Sequence, residues 1–284
     1  MSDTAPPAAP AAPKKNADLP MRFAAGVVMI AVAVIVTYLS GWPFRVLAAL
    51  AAAVMMLEWA AMHRVPRIWT WLAVALVAGT LIAFAEYLYP AAGNNPAMLQ
   101  TDDLEAVWLG FAAIAAAAVV VGLLSRRLAM GWGVLYIGIP AFALVVLNWA
   151  WSELVLWLFF IVWATDIFAY FAGRGIGGPK LAPRISPNKT WAGLAGGIVG
   201  AAVIGGVAAW YMQLEPVFML VGGPMALLAQ LGDLYESAVK RRRGVKDSGT
   251  LLPGHGGVLD RLDGLLPAAL ATYALLWALS LGYL

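Results

Sequence analysis

The chain contains no cysteine, which excludes disulfides, thiolate nucleophiles and cysteine-ligated metals. Charge is scarce as well: Asp, Glu, Lys and Arg make up 12% of its 284 residues, against about 25% in a typical soluble domain. No internal repeat is clear. What fills the chain instead is apolar, 63% of residues with a mean hydropathy of +0.83. Such a composition cannot be covered by its own polar surface in water, so the expected fold is an all-α, polytopic integral membrane protein. The net charge of +3 says little as a total, and no nucleic-acid partner is expected from it.

Residues 1–20 are Ala- and Pro-rich with few large apolar side chains, which reads as a disordered cytoplasmic arm. The apolar run Phe23 to Leu39 exceeds the ~7–15 residues of a signal-peptide core and ends in Ser40-Gly41-Trp42-Pro43 rather than a small-residue cleavage site. It is expected to stay as a first span. A membrane helix needs roughly 20 mostly apolar residues. Nine stretches qualify: Arg22–Leu39, Phe44–Met62, Arg67–Tyr89, Leu104–Leu124, Trp132–Ala150, Glu153–Ala172, Thr190–Tyr211, Val217–Ala238 and Leu262–Leu281. Residues 21–150 then form an N-terminal scaffold and 151–284 a C-terminal catalytic region. With the N-terminus inside, every Lys and Arg except Arg45 falls in the arm or in an inner segment, the pattern that short cytoplasmic loops show.

The scaffold holds one odd residue, Glu58, about a turn from the inner end of the second span. Snorkelling, or pairing with His63 or Arg64, is the favoured reading. The second half differs. Asp166 lies inside the sixth span with Tyr170 one turn on, and an intramembrane acid is by default a functional candidate, a helix–helix hydrogen bond being the alternative. The inner loop Gly173 to Gly193 carries Arg174, Lys180, Ser186, Lys189 and Thr190. Its Gly-Arg-Gly-Ile-Gly-Gly run fits the spacing of a dinucleotide fingerprint but lacks the strand and helix which that motif requires. Its glycines and basic residues suit a phosphate, and a flexible loop with an N-cap is the competing reading. The glycines of the seventh span suit close helix packing.

Charge is densest from Asp233 to Asp263. Glu236 and Ser237 share a helical face with Asp233. Lys240 to Arg243 would serve as a topology anchor in most membrane proteins, but an anchor needs neither Lys246-Asp247-Ser248-Gly249, nor Pro253-Gly254-His255-Gly256-Gly257, nor Asp260-Arg261-Leu262-Asp263. Asp260 and Asp263, three apart, are expected to open the last span on one face. Acids at one depth on different spans repel unless protonated, paired with a base or bridged by a cation; magnesium is the economical choice for such hard oxygen ligands.

From Ser237-x-Val239-Lys240-Arg241 to Asp260-Arg261-x-Asp263, with Lys246-Asp247-x-Gly249 and Pro253-x-His255-Gly256-Gly257 between, the run resembles the signature of the phosphatidate cytidylyltransferases, the CDP-diacylglycerol synthases. The likeness extends upstream to Asp166-x-x-Ala169-Tyr170-x-x-Gly173-Arg174 and Ser186-Pro187-x-Lys189-Thr190. Ala192 departs from it, standing where members often carry Glu or Gln. The resemblance implies that CTP and phosphatidic acid give CDP-diacylglycerol and pyrophosphate with magnesium, and that a potassium ion is associated with the same centre. It places metal-binding acids on Asp233 and Asp260, with Asp263 close by and Asp166 supplied from the sixth span. Lys240 is expected at the catalytic centre. Arg174, Ser186, Lys189, Ser237, Arg241, Lys246 and Arg261 are expected around the phosphates, and His255 in the substrate loop. The implied setting is a bacterial inner membrane with the site facing the cytoplasm. The glycine-rich spans suit a homodimer. A CTP-dependent lipid kinase and a membrane transporter are the rival readings. A CDP-alcohol phosphotransferase is disfavoured, because no Asp-Gly-x-x-Ala-Arg run is present.

Overall fold

The computed structural model describes residues 19–88, 101–251 and 256–281. Residues 1–18 of the expected arm, most of the loop after the third span, and His255 lie outside these residues. Helices dominate: α1 (Leu19–Leu39), α2 (Gly41–Met62), α3 (Arg67–Leu88), α4 (Thr101–Leu124), α5 (Leu128–Ala150), α6 (Ser152–Gly175), α7 (Trp191–Tyr211), α8 (Val217–Leu220), α9 (Gly222–Arg242), α10 (Leu259–Leu262) and α11 (Leu265–Ser280). Five of these, α2, α4 from Glu105, α5, α6 and α7, are long and apolar enough to cross a membrane, and shorter apolar helices lie at Ala24–Leu39, Arg67–Ala83 and Leu265–Ser280. The chain is therefore an all-α polytopic membrane protein.

Helix α5 is the centre of the bundle. It packs against α2, α4, α6 and α11, and its buried residues run from Met130 to Ala150. Its Pro140 is buried among those neighbours, and a membrane helix tolerates an internal proline where surrounding helices satisfy the freed backbone. Near the opposite end from the charged loops, Asn148 donates to the Thr37 carbonyl (3.1 Å) and accepts from Ser40 (3.0 Å), joining α5 to α1 and the turn after it. The fifth and sixth spans, nearly continuous in sequence, part at Trp151, which is extended (φ −150°, ψ 109°).

The α6–α7 pair is the most closely apposed. A Cβ on Gly197 would lie 3.0 Å from the Thr165 carbonyl oxygen, so this face of α7 has to be glycine for the two backbones to meet. The glycines of the seventh span therefore serve packing, as expected.

Three local features depart from the sequence reading. The loop between α6 and α7 contains a hairpin, β1 (Lys180–Ala182) paired antiparallel with β2 (Ser186–Thr190), with Lys180 opposite Thr190 and Ala182 opposite Ser186. The span expected at Val217–Ala238 is two helices. It breaks at Val221, where Gly222-Gly223-Pro224 follows and Pro224 favours a first turn, having no N–H to donate and crowding the turn before it. Helix α9 then runs past Ala238 to Arg242, and Gly244 (φ +73°) ends it. The last span is likewise divided, α10 and α11 being separated by Asp263 and Gly264.

Candidate active site

Helix α9 supplies the axis of the site. Asp233, Glu236, Ser237 and Lys240 fall at i, i+3, i+4 and i+7, one face of a helix with 3.6 residues per turn. Three other segments meet that face. β2 brings Lys189, whose Nζ lies 2.6 Å from Asp233 Oδ2 and 2.8 Å from Gln230 Oε1. Ser237 donates to the other Asp233 oxygen at 3.2 Å, so both oxygens of that carboxylate are engaged. The hairpin missing from the sequence reading is what carries Lys189 to α9, and Thr190, accepting from Gly193 N at 3.0 Å, caps α7 directly after it.

One turn further along, Lys240 is buried between two acids, 2.9 Å from Glu236 Oε2 and 2.6 Å from Asp260 Oδ1. Asp260 also accepts from the backbone N–H of Ser248 (2.9 Å) and of Gly257 (2.8 Å). Burial pushes the Asp260 carboxyl up. The Lys240 ammonium and the Gly257 and Ser248 amides outweigh it and hold the group below the ordinary carboxylate range. Gly256, at φ +84°, turns the chain here, and a Cβ on it would stand 2.6 Å from Asp260 Oδ2. Asp263 accepts from Gly264 N at 2.7 Å and lies within the electrostatic reach of Asp233 and Glu236. The charges bearing on Asp166 are those of Asp233, Lys189 and Arg261. Five acids and two lysines thus gather along one face of α9: Lys189 beside Asp166 and Asp233 at one end, Lys240 between Glu236 and Asp260 at the other, and Asp263 close to Asp233 and Glu236.

The remaining expected residues are placed less centrally. Arg241 reaches from α9 to the Ile185 carbonyl (3.3 Å) and the Val245 carbonyl (3.1 Å), which puts it beside Ser186 at the hairpin. Arg261, on α10, is exposed, as is Lys246 in the loop. Arg174 is engaged with the Tyr170 hydroxyl on its own helix at 2.9 Å.

Sequence reasoning undervalued Glu58. It pairs with neither His63 nor Arg64. Its buried carboxylate accepts from Ser248 Oγ (3.1 Å), Val258 N (2.8 Å) and Leu259 N (2.8 Å), 190 to 201 residues away. Two of these donors are free amides at the start of α10, which every helix must satisfy from outside. The loop glycines make the approach feasible: a Cβ on Gly249 would lie 2.7 Å from Glu58 Oε1, and one on Gly257 would lie 2.6 Å from it. The one signal in the sequence was an acid inside an otherwise apolar run. Replacing Glu58 by Ala leaves the amides of Val258 and Leu259 without acceptors, at about 1–3 kcal/mol for each buried unsatisfied group. Hydrogen exchange at those two amides is expected to accelerate roughly 10- to 100-fold on that scale, and unchanged exchange would refute the tether.

Among the described residues no three Asp, Glu or His side chains are grouped closely enough to enclose a metal ion. The donor set still fits a hard cation of the kind held by one or two carboxylates together with substrate phosphates. Glu236 Oε1 is a buried carboxylate oxygen to which no base or amide donates, Asp263 lies within hydrogen-bond distance of the Glu236 carboxyl, and Asp233 bears on the same place. Asp260 is more fully occupied than Asp233: an ammonium and two backbone amides converge on its oxygens, against one ammonium and one hydroxyl on those of Asp233.

The fold and this charged cluster define a polytopic membrane protein with a polar centre built at the ends of its C-terminal helices. A model of the cytidylyltransferase family matches residues 20–279, and the chain belongs to that family. It is similar to the phosphatidate cytidylyltransferase of Brucella abortus biovar 1 (strain 9-941), 48% identical over 158 residues, covering 50% of this chain and 56% of the relative. The Pseudomonas aeruginosa protein of the same name is 41% identical over 164 residues, 55% of this chain and 59% of the relative. That of Bacillus subtilis (strain 168) is 50% identical over 109 residues, 37% of this chain and 40% of the relative. The match spans about half the length of these relatives.

Proposed function

We propose that this chain transfers the cytidylyl group of CTP to phosphatidic acid, forming CDP-diacylglycerol and releasing pyrophosphate. The observation that carries the reading is the pair of lysines, Lys189 of β2 and Lys240 of α9, held by carboxylates of α9 and α10, in a chain of the cytidylyltransferase family. A phosphate oxygen of the lipid attacks the α-phosphorus, a new P–O bond forms, and the bond between the α-phosphorus and its bridging oxygen to the β-phosphate breaks. The attacking phosphate is already ionised near neutral pH, so no strong base and no enzyme nucleophile are needed. The barrier lies in bringing two anions together, which positioning and charge neutralisation lower.

Lys240 and Lys189 are the cations nearest the centre. Asp260 with Glu236 fixes the first and Asp233 the second, so each ammonium is oriented before substrate arrives. Arg241, Lys246 and Arg261 bind the outer phosphates and stabilise departing pyrophosphate, with Ser186 and Ser237 as further donors. Arg174 guards the hairpin side, and His255 belongs to the substrate loop. Asp233 and Asp263, with Asp166 beside Asp233, would hold a magnesium ion, and Asp260 serves the same centre through Lys240. Such an ion supplies neutralising charge at the α-phosphate and the attacking oxygen. A potassium ion in the same centre is part of the proposal.

The lipid tails stay in the bilayer while CTP arrives from water, so the site belongs at a membrane face. The proposed topology has nine spans and an N-terminus in the cytoplasm, since this puts the basic ends of the helices and the site on the inner side of a bacterial inner membrane. A homodimer is compatible with it.

Solubilised protein, magnesium, phosphatidic acid and CTP labelled at either the α- or the γ-phosphate provide the test. Label entering the lipid from the α position is the expected result. Label from the γ position would make the protein a CTP-dependent lipid kinase. Lipid without label in either case would overturn both. Chelation with EDTA is expected to abolish turnover and added magnesium to restore it.

A further inference from the structure

Helix α9 has a second face. Tyr235, Val239 and Arg242 recur at i, i+4 and i+7, and at 100° per residue Tyr235 is turned by about 200° from Asp233. This face closes an open cavity of about 870 Å³ whose other walls are the C-terminal half of α4, the first two turns of α5 and the end of α2. Its lining is apolar along nearly all its length, through Ala115, Val119, Leu123, Leu128 and Leu135. No acid lines it among the described residues. Arg242 and Arg243 stand at one end, both exposed, and among the described residues neither guanidinium has an acceptor.

The groove is built rather than incidental. Gly131 lets α5 approach α4 so closely that a Cβ there would lie 2.6 Å from the Ala118 carbonyl oxygen. Trp132 Nε1 donates to the Tyr235 hydroxyl across it, which satisfies the polar atoms of that wall. Burial, opposed by the Trp59 carbonyl and reinforced by the nearby Arg243, lowers the pKa of His63 below the ordinary value, so the positive charge at this end comes from the arginines. The result is an apolar trough in a membrane-embedded bundle, ending in two uncompensated guanidiniums at the end of the bundle where Arg64 and Arg126 also lie.

We propose that this groove is a second lipid site, separate from the reaction centre, that holds an anionic glycerophospholipid with its phosphate between Arg242 and Arg243 and an acyl chain along α4 and α5. Charge complementarity selects the occupant. Apolar walls accept any acyl chain, but paired arginines without acceptors favour a phosphate that carries net negative charge over a zwitterionic headgroup. The site does not depend on the reaction proposed for the other face of α9, because none of its residues belongs to the acid–base row described there.

The test is lipid retention by the purified full-length chain in detergent, read by native mass spectrometry during titration with phosphatidylglycerol or phosphatidylcholine. Phosphatidylglycerol has no terminal phosphate monoester and cannot react, and variants confined to the groove separate its retention here from binding at the reaction centre. The expected result is at least tenfold tighter retention of phosphatidylglycerol. The double variant Arg242→Gln/Arg243→Gln is expected to weaken it about 30-fold, on the scale of two basic residues at an anionic headgroup, and to leave phosphatidylcholine unchanged. Ala115→Trp, at an exposed position on the trough wall, fills the groove and is expected to reduce retention of both lipids. Equal retention of the two lipids by the wild type, or no loss in either variant, would overturn the proposal. Displacement by millimolar inorganic phosphate would reveal a free-phosphate site instead. Cross-linking between two copies at position 115, with phosphatidylglycerol excluded, would reveal a protein interface.

Discussion

Replacing Asp233 by Asn is expected to lower cytidylyl transfer by about 10²–10³-fold or more, the scale on which removing one preorganised electrostatic group slows transfer reactions. The amide keeps the size of the carboxylate and can still accept from Ser237, so insertion and folding are expected to survive. What it loses is charge. Lys189, 2.6 Å from Asp233 and otherwise bonded to the neutral Gln230, loses its anionic partner, and a cation loses a hard oxygen ligand. Measured on protein that elutes and melts like the wild type, near-normal turnover would remove Asp233 from the centre. A variant that binds CTP normally but does not turn over would place its contribution in the transition state.

Lys240→Met is expected to be the more damaging change, in stability as well as activity. The ammonium lies buried between Glu236 and Asp260, and its removal leaves two carboxylates facing each other with only the Ser248 and Gly257 amides to offset the charge of Asp260. Breaking a buried pair in this way costs about 3–5 kcal/mol, whereas replacing the charges together is often close to neutral. Lys240→Met with Glu236→Gln is therefore expected to recover much of the lost thermal stability, and none of the activity. A double variant no more stable than the single one would show that the two side chains are not coupled. Full recovery of turnover would show that Lys240 is structural.

The helices were legible because their signal is local. Each long helix falls on an apolar stretch visible in the sequence, and the division between α5 and α6 sits at Trp151, within the narrow gap expected. The break at Val221 was overlooked because Gly222-Gly223-Pro224 interrupts a run whose hydrophobicity does not fall. The β1–β2 hairpin was hidden in a segment dense in Gly, Pro and Lys, where neither helical nor alternating periodicity shows. Which acids and bases gather was readable from their spacing on α9 and from the motifs around it. Which oxygen faces which nitrogen was not, since Asp260 turns to Lys240 and the loop amides while Asp263 turns toward Asp233 and Glu236. Glu58 is the extreme case: nothing within α2 indicates that its partners lie about 200 residues downstream.

That tether makes the motif-bearing segment unable to stand alone. A fragment beginning after α5 would contain every residue of the acid–base row, yet the first turn of α10 would have no carboxylate to receive its amides and the glycines at 249 and 257 would close on empty space. Minimal catalytic units cut from such proteins at the boundary of the recognisable signature would thus be truncated in the wrong place. The smallest portable unit includes the second helix of the chain, and chimeras that exchange the N-terminal helices between relatives have to carry the acid near its C-terminal end with them.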